Sequence, residues 1–478
     1  MRERKSFLPR VIVAALLTVV CIAFTVLTVR LGVLPKRLLL PLLAVVWIVG
    51  IVLDILLLRS KKTFVLWIVF SVLVAAVLCF GMYYLHHTGK MVRGIEPPKV
   101  QIDSISVYVL KDDPAQNISD TEGYNFGILA ELDRENTDKT IAELEEKVDF
   151  PLQCQEYDDM MTLADDLLAK KIDAVILNDA FVSLIAEDEG YTTFPQDIRA
   201  LSTTVQEQEI PVATPEPVMD GFFIAYISGI DTFGSVSRRS NSDVNILAAV
   251  NTQTKEILLL STPRDYFIEL PVSKGRRDKL THAGVYGVEV SMGTLEMLYG
   301  IDVNYYVRMN FSGFTGIIDA IGGVDVYSQY DFSAGGNHYQ KGYNYLNGEQ
   351  ALSFARERHS FATGDNQRGK NQMEVIKAVI KKCSSPAILK DYAGLMASIA
   401  GTFETSVPQE KIAELVDAQL FGQEEWHVVS HSVTGSNSND ITYSMPGRRT
   451  YVMEPNWDSV EEAKELLRQV KDGEKLAE

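Results

Sequence analysis

Long apolar runs dominate the first hundred residues of the chain. Three of them, at 11–29, 38–58 and 63–85, contain a single charged residue, Asp54. As helices, each is long enough to cross about 30 Å of hydrocarbon. A cleaved signal peptide is the alternative for the first run, but two further spans follow almost at once, which disfavours it. The pattern therefore predicts a membrane region over residues 1–99 with three transmembrane helices.

Positive charges beside these runs predict how the helices are oriented. Four Lys and Arg residues precede the first run and three lie in the second connection, whereas the first connection carries three. Because Lys and Arg are enriched in loops that stay in the cytoplasm, this distribution favours a cytoplasmic N-terminus. Three spans then place the rest of the chain outside the cell.

Shorter apolar runs alternate with helical patterns from residue 100 onward. Strand-like runs at 105–110, 124–130 and 174–177 are separated by helical spacing at 137–148 and 158–171. This alternation is typical of an α/β fold and predicts a small accessory domain over 100–205. A stretch at 206–219 that contains three prolines is the predicted linker.

A second and larger set of elements follows the linker. The strand-like and helical runs predict a larger α/β domain over residues 220–475. The strand-like runs are 222–227, 244–250, 257–261, 324–327 and 451–454, and the helical runs are 349–354, 373–382 and 459–470.

Charge and cysteine content narrow the range of functions. The net charge is −18, yet residues 1–99 hold 13 Lys and Arg against 3 Asp and Glu. The remainder is therefore strongly acidic, which argues against nucleic-acid binding because phosphates need a basic surface. Four cysteines without a CxxC pair exclude a disulfide scaffold and a cysteine-based zinc module.

Arginines and carboxylates concentrate in short, loop-like segments of the larger domain. Arginine matches phosphate oxygens with a planar fork, so several arginines that converge suit a diphosphate. Carboxylates among them can hold Mg²⁺, which takes its remaining ligands from phosphate and water. The alternative is a set of surface salt bridges. The candidate residues are Asp231, Arg239, Asp243, Arg264, Arg356, Arg358, Asp365, Arg368 and Gln372.

Apolar side chains surround these segments in sequence. Core packing is the default interpretation, and a sleeve for a lipid tail is the alternative, because water-exposed CH₂ groups cost about 0.8 kcal/mol each. In that hypothesis one helix forms a wall of the sleeve, and two leucines lie opposite. The helix residues are Phe311, Phe314, Ile317, Ile318 and Ile321, and the leucines are Leu295 and Leu298.

The same segments closely resemble the LytR-CpsA-Psr family of Gram-positive envelope phosphotransferases over about residues 220–470. The resemblance implies an α/β domain with a mixed sheet flanked by helices, and the three spans with the extra domain look like the capsule-associated, CpsA-type branch. It rests on motifs that occur in the family's order: GIDT…SDVNILAAVN, LLLSTPRDYF, DKLTHAGVYG, LYGIDVNYYVRMNF, IDAIGGVDV, LNGEQALSFARERH and GDNQRGKNQ.

The resemblance also implies roles for individual residues. Asp231 and Asp243 match the family's metal- and diphosphate-proximal carboxylates. One motif departs from the family, because Asn241 stands where many members carry arginine, so Arg239 or Arg238 takes that place. Asp365 and Asp231 are candidates for the base. Five further residues match the family's diphosphate-binding positions, namely Arg264, Arg356, Arg358, Arg368 and Gln372.

The implied function is transfer of a capsular-type glycopolymer from a polyprenyl diphosphate carrier to a peptidoglycan sugar hydroxyl, with Mg²⁺. The expected location is the Gram-positive cell membrane with the soluble domains outside, and capsule-assembly membrane proteins are candidate partners. The rival hypothesis is a non-catalytic regulator that binds the lipid-linked precursor and controls capsule synthesis. Turnover of the lipid-linked glycan discriminates between the two.

Overall fold

The structure is a computed structural model of the 478-residue chain. It divides into two compact units, one built around the N-terminal helices and one that contains the residues from 97 to 379 and most of the C-terminal part. The described residues are 2–31, 36–60, 63–92, 100–209, 221–230, 239–362, 364–384, 403–408, 411–412, 414–415, 419 and 425–477.

Three helices form the N-terminal part: α1 (Arg2–Leu31), α2 (Lys36–Arg59) and α3 (Phe64–Val92). Each contains a stretch of at least 20 residues that is apolar and long enough to cross a membrane, which confirms the three predicted apolar helices. The helices pack through apolar side chains on all three. Asp54 on α2 accepts a hydrogen bond of 3.0 Å from the Thr18 hydroxyl on α1.

The accessory domain is a five-stranded sheet in the order β3-β2-β4-β1-β5. Strand β4 is buried along its whole length, because helices cover it, and this explains its uninterrupted apolar sequence. The elements are β1 (Val100–Leu110), 3-10 helix Ile118–Thr121, β2 (Asn125–Leu129), α4 (Arg134–Glu145), β3 (Gln153–Tyr157), α5 (Met160–Leu168), β4 (Ala174–Asn178), α6 (Asp179–Ile185), α7 (Phe194–Asp197) and β5 (Ile198–Glu209).

The predicted linker begins too early. Residues 206–209 are the last part of β5 and pair with the start of β1, where Gln206 lies opposite Asp103. Polar residues are tolerated there because this pairing uses backbone groups of two long strands. Residues 210–219 lie outside the described residues.

The larger domain follows with a mixed, six-stranded sheet in the order β16-β11-β6-β7-β8-β17. Its strands are β6 (Phe222–Ile230), β7 (Ser242–Asn251), β8 (Glu256–Ser261), β9 (Phe267–Glu269), β10 (Arg277–Lys279), β11 (Tyr305–Met309), β12 (Val324–Ser328), β13 (Phe332–Ala334), β14 (Asn337–Tyr339), β15 (Gly342–Leu346), β16 (Phe403–Thr405), β17 (His427–Ser432), β18 (Gly435–Ile441) and β19 (Arg449–Pro455). Its helices are α8 (Leu280–Tyr286), α9 (Val288–Tyr299), α10 (Phe311–Ala320), α11 (Gly348–Arg356), α12 (Asp365–Cys383) and α13 (Trp457–Asp472).

Pairing in this sheet is parallel between β6 and β11 and between β8 and β17, and antiparallel elsewhere. The predicted fold class, with a mixed sheet and flanking helices, is confirmed. One face of the sheet carries the main core, in which α9 and α13 pack on β6, β7 and β8. Leu295 and Leu298 belong to this core, and they therefore cannot form the predicted second wall of a lipid sleeve.

The accessory and larger domains share a hydrophobic core. Val285 on α8 and Met445 of the larger domain belong to the same cluster of buried side chains as Phe181 and Ile185 on α6. The two domains are thus docked through apolar packing, and polar side chains at their boundary lie at fixed positions.

Candidate active site

A cavity of about 500 Å³ opens at one edge of the large sheet. Strands β6 and β11 are parallel, so both end at this edge, with Ile230 and Met309 in the cavity wall. Strand β7 starts there, because Ser242 pairs with Ile230, and antiparallel β8 ends nearby at Ser261. The segments that follow strand ends therefore converge on the cavity, as they do in other open α/β sheets.

Arginines from three distant segments line this cavity. The structure thus brings together the candidate diphosphate-binding residues, apart from Arg239. Asp231, the other candidate carboxylate, lies outside the described residues. The candidates in the cavity wall are Asp243, Arg264, Arg356, Arg358, Arg368 and Gln372.

Helix α12 contributes one face to the cavity. Arg368, Gln372 and Ile376 are spaced four residues apart and all line it. The Gln372 amide donates a 3.4 Å hydrogen bond to the carbonyl of Ala355 on α11, which fixes one helix against the other. The charged start of α12 therefore lies at one end of the cavity wall and an apolar side chain at the other.

Asp365, a candidate for the base, lies beside the cavity rather than in it. It forms an ion pair with Arg368 and lines a second cavity of about 20 Å³, which Arg264 and Arg368 also line. Burial raises the pKa of Asp365, while the charge of Arg368 opposes that effect. The arrangement positions Asp365 behind the arginines.

The end of α11 supplies the exposed arginines. The Arg356 guanidinium stacks over the ring of Phe311, 4.2 Å from its centroid, and this cation–π contact joins a positive charge to an apolar surface. Arg358 donates a 3.4 Å hydrogen bond to Nε2 of His359. Within the described residues neither arginine forms an ion pair, so both keep charge for a ligand.

Asp243 and Arg264, whose side chains are more than four fifths buried, form an ion pair in another part of the cavity wall. Arg264 also lies 3.1 Å from Glu187 of the accessory domain and 3.7 Å from Asp265. Glu187 in turn lies 3.4 Å from Nε2 of His282. These contacts form a chain of alternating charges that runs from the domain boundary to the cavity.

His282 is the buried end of this chain. It has no exposed surface, and its Nδ1 lies 2.6 Å from Asp278. Burial lowers the pKa of His282, but Asp278 and Glu187 outweigh burial and raise it overall, which favours the imidazolium. The pKa of Glu187 lies well below its ordinary value, because His282, Arg264 and Lys279 outweigh the effect of burial.

Arg239, a predicted diphosphate ligand, is directed elsewhere. Its guanidinium forms a 2.9 Å ion pair with Asp103, which is buried in the accessory domain. Arg239 does not line the cavity, and this corrects the prediction for it. Arg238 lies outside the described residues.

The apolar part of the cavity differs from the predicted sleeve. Phe311 and Phe314 line it, whereas Ile318 and Ile321 are buried in the domain and Ile317 does not line the cavity. The helical spacing correctly identified an apolar face of α10 but not which of its residues border a cavity. Apolar residues that the prediction missed are Ile227, Ile230, Leu352 and Ile376.

The carboxylates available for Mg²⁺ are few. Asp243 and Glu357 line the cavity, and among the described residues there is no cluster of three or more His, Cys, Asp or Glu side chains. Mg²⁺ commonly uses one or two carboxylates and takes its other ligands from phosphates and water. Asp243, in the wall beside arginines, therefore fits an ion that is bound together with a diphosphate.

The chain is similar to known proteins over its larger domain. Residues 198–463 match the model described as the LytR_cpsA_psr family. The polyisoprenyl-teichoic acid–peptidoglycan teichoic acid transferase TagU of Bacillus cereus is 34% identical over 209 residues, 44% of this chain and 66% of the relative. A transferase of the same name from Enterococcus faecalis is 33% identical over 188 residues, 39% of this chain and 61% of that protein.

The crystal structure of Bacillus subtilis TagV is 25% identical and covers 53% of this chain and 99% of its own, with a TM-score of 0.46. The chain spans just under two thirds of the two transferases. Residues 100–197, which form most of the accessory domain, lie outside the family match.

Proposed function

The chain belongs to the LytR_cpsA_psr family, and from that premise we propose that it transfers a glycopolymer from a polyprenyl diphosphate carrier to a sugar hydroxyl of peptidoglycan. The observation that carries the proposal is the junction of charge and apolar surface in one cavity, where Arg356 stacks on Phe311. A polyprenyl diphosphate has the same junction, between its phosphates and its first isoprene units. The named relatives act on teichoic acid, which supports this class of reaction.

The proposed step is a displacement at phosphorus. The acceptor hydroxyl oxygen attacks the phosphorus that bears the glycan, the bond from that phosphorus to the bridging oxygen breaks, and polyprenyl monophosphate leaves with the electron pair. Arg356 and Arg358 neutralise charge that builds on the diphosphate oxygens. Mg²⁺ held by Asp243 would supply further neutralisation on the phosphates.

The hydroxyl proton must go to a base, and the positions of the carboxylates constrain which one. Asp365 is paired with Arg368 and lines the smaller cavity, so we assign it to orienting that arginine. His359 lines the main cavity, is exposed, and accepts a hydrogen bond from Arg358. Once Arg358 turns to phosphate oxygens, the Nε2 lone pair of His359 is open to the proton, which makes His359 the better-placed acceptor.

The finer proposals concern substrate and location. We propose a capsular-type polymer as the glycan, N-acetylmuramic acid as the acceptor sugar, and an extracytoplasmic position for the soluble domains. The three apolar helices and the positive charges beside them support a membrane anchor in that orientation.

The test is turnover by the purified full-length chain in detergent. Radiolabelled capsular or teichoic glycan on a polyprenyl diphosphate is mixed with peptidoglycan fragments and Mg²⁺, and both wall-linked label and polyprenyl monophosphate are measured. We expect both products to form together and to be lost in Arg356→Gln. Arg468→Gln, on the exposed surface of α13, is the matched control and should retain activity.

Tight binding of the lipid-linked glycan without release of polyprenyl monophosphate would contradict the proposal and favour the regulator instead. If labelled wall forms from the teichoic donor but not from the capsular donor, the proposed reaction is supported and the proposed polymer is wrong.

A further inference from the structure

Glu187 is a residue of the accessory domain whose carboxylate, within the described part of the chain, has its side-chain partners in the larger domain. It follows α6 and accepts a hydrogen bond from the side chain of Asn241. It also lies 3.1 Å from Arg264, 3.5 Å from Lys279 and 3.4 Å from His282. Glu187 lies outside the family match, yet it is one contact away from the cavity.

The segment 239–243 is held at several points. Arg239 pairs with Asp103, Asn241 donates to Glu187, and Asp243 pairs with Arg264. Two of these three contacts are made by the accessory domain, and the third is made by the arginine that Glu187 also contacts.

Helix α8 closes the remaining side of this segment. A Cβ atom on Gly284 would lie 2.5 Å from the carbonyl oxygen of Ser240, so only glycine permits this approach. The same helix carries His282 toward Glu187 and Val285 into the core shared with the accessory domain. Helix, segment and accessory domain are therefore packed as one body.

These contacts determine the orientation of Arg264. Arg264 has three carboxylate neighbours and is largely buried, so its guanidinium is oriented before any ligand arrives. Glu187 is itself held in place by the shared core next to α6 and by two further cations, Lys279 and His282. Glu187 thus holds Arg264 in position, and Arg264 in turn orients Asp243, whose carboxylate lines the cavity.

We propose that Glu187 is a positioning residue of the transferase site, through which the accessory domain holds Arg264 and Asn241 and thereby orients Asp243. The proposal rests on the proposed function and deepens it, because it assigns a role to a domain that lies outside the family match. It also predicts that the accessory domain acts on the chemical step, rather than by binding the glycan.

The experiment compares Glu187→Gln with Glu189→Gln in the full-length, detergent-solubilised chain. Both variants lose one carboxylate from the same loop, but Glu189 is exposed. Two quantities are measured: the steady-state constants for transfer, and hydrogen–deuterium exchange of peptides that cover residues 239–246. The exchange measurement requires no substrate.

For Glu187→Gln we expect kcat to fall at least tenfold while KM for the lipid-linked donor changes less than threefold, since Asp243 acts on the reacting phosphates. Exchange at 239–246 should become at least threefold faster. Glu189→Gln should match the wild type in both. Glu187→Asp, which keeps the charge on a shorter side chain, should recover part of the lost kcat and part of the lost protection.

Unchanged exchange in Glu187→Gln would overturn the proposal, whatever the activity. Faster exchange with unchanged kcat would overturn it as well, and so would a gain in activity, which would mean that Glu187 restrains the site. If Glu187→Gln fails to fold, the same two measurements on Glu187→Asp decide by the same criteria. An inactive wild type would contradict the proposed function only. The exchange comparison requires no substrate, so it would still test whether Glu187 holds the segment 239–243.

Discussion

The two walls of the cavity hold their arginines in opposite ways. We call the wall formed by Asp243 and Arg264 the buried wall. Both side chains are more than four fifths buried, and the arginine is paired with carboxylates. In the wall formed by Arg356 and Arg358, here the exposed wall, the guanidinium groups are exposed, and their partners are an aromatic ring and an imidazole.

This difference separates two tasks that similar residues perform. An arginine already neutralised by carboxylates contributes geometry, because its hydrogen bonds are committed before a ligand binds. An arginine without an ion pair in the described part of the chain retains charge, and phosphate oxygens can satisfy it. Removal of one arginine from each wall should therefore affect different measurements.

The largest effect is expected in the buried wall. Arg264→Ala leaves Asp243, Glu187 and Asp265 buried without their common cation, which typically costs about 3–5 kcal/mol of unfolding free energy. In a domain of this size that lowers the melting temperature by at least ~6 °C. Thermal melting of the full chain in detergent tests this, with the half-exposed Arg276→Ala as control. A melting temperature equal to that of the control would mean that the two walls do not differ.

In the exposed wall the effect should fall on catalysis. Arg356→Gln removes a charge that faces the diphosphate, and we expect kcat/KM to drop by about 10²–10³. The melting temperature should stay within ~2 °C of the wild type, because the exposed side chain holds no ion pair among the described residues. Transfer kinetics and melting are measured on the same preparation. A large loss of stability would erase the distinction between the walls.

Asp103→Asn probes how far the buried wall extends into the accessory domain. Burial raises the pKa of Asp103 to about 6, while Arg239 lowers it, Asp133 raises it and a hydrogen bond from Asn136 lowers it. A folded pKa above the ordinary 3.8 means that the protonated form stabilises the fold fully below pH 3.8, and that this stability is lost as the pH rises through 6.

Asparagine imitates the protonated side chain, so the variant should be more stable than the wild type at pH 8, by about 2–3 kcal/mol. Near pH 4 the two proteins should melt together. Asp112→Asn, at an exposed acid of the same domain, serves as the control and should show no such gain. A loss of stability at pH 8 would show that the pair with Arg239 outweighs burial.

The smallest expected effect concerns the apolar partner in the exposed wall. Phe311→Leu keeps an apolar side chain but removes the cation–π contact with Arg356, which is worth about 0.5–1 kcal/mol. The donor should bind two- to fivefold more weakly, as measured by titration with polyprenyl diphosphate. Binding of inorganic pyrophosphate should weaken by the same factor if the ring acts only by positioning Arg356. A larger loss of affinity for polyprenyl diphosphate than for pyrophosphate would indicate that Phe311 also contacts the lipid directly.

Local pattern predicted only some of the parts of the site that depend on one element. The sequence pattern predicted a helix over 373–382, but α12 already begins at Asp365. The shared helical face of Arg368, Gln372 and Ile376 was therefore not predicted, although all three line the cavity. Apolar spacing predicted the helix that became α10. It could not say that α13, more than 150 residues later, would cover Leu295 and Leu298.

Two of the failures, at Arg239 and Glu187, share a physical cause, since they depend on how the accessory domain docks. Arg239 was predicted as a phosphate ligand because it lies among arginines and carboxylates in a segment that resembles a family motif, but Asp103, on a strand of the other domain, is its partner. Nothing in the local sequence around Glu187 distinguishes it from other acids at helix ends. Its role arises only when two domains share a core.

The face of α12 that carries Arg368, Gln372 and Ile376 changes in character along the helix axis. Eight residues of helix correspond to about 12 Å along the axis, and over that length the wall changes from cationic to apolar. From the proposed function we expect this wall to select a ligand by the point where its charge ends and its hydrocarbon begins, more than by its sugars. We therefore expect different glycans to be accepted on one kind of carrier, and carriers with a longer or shorter anionic head to bind more weakly.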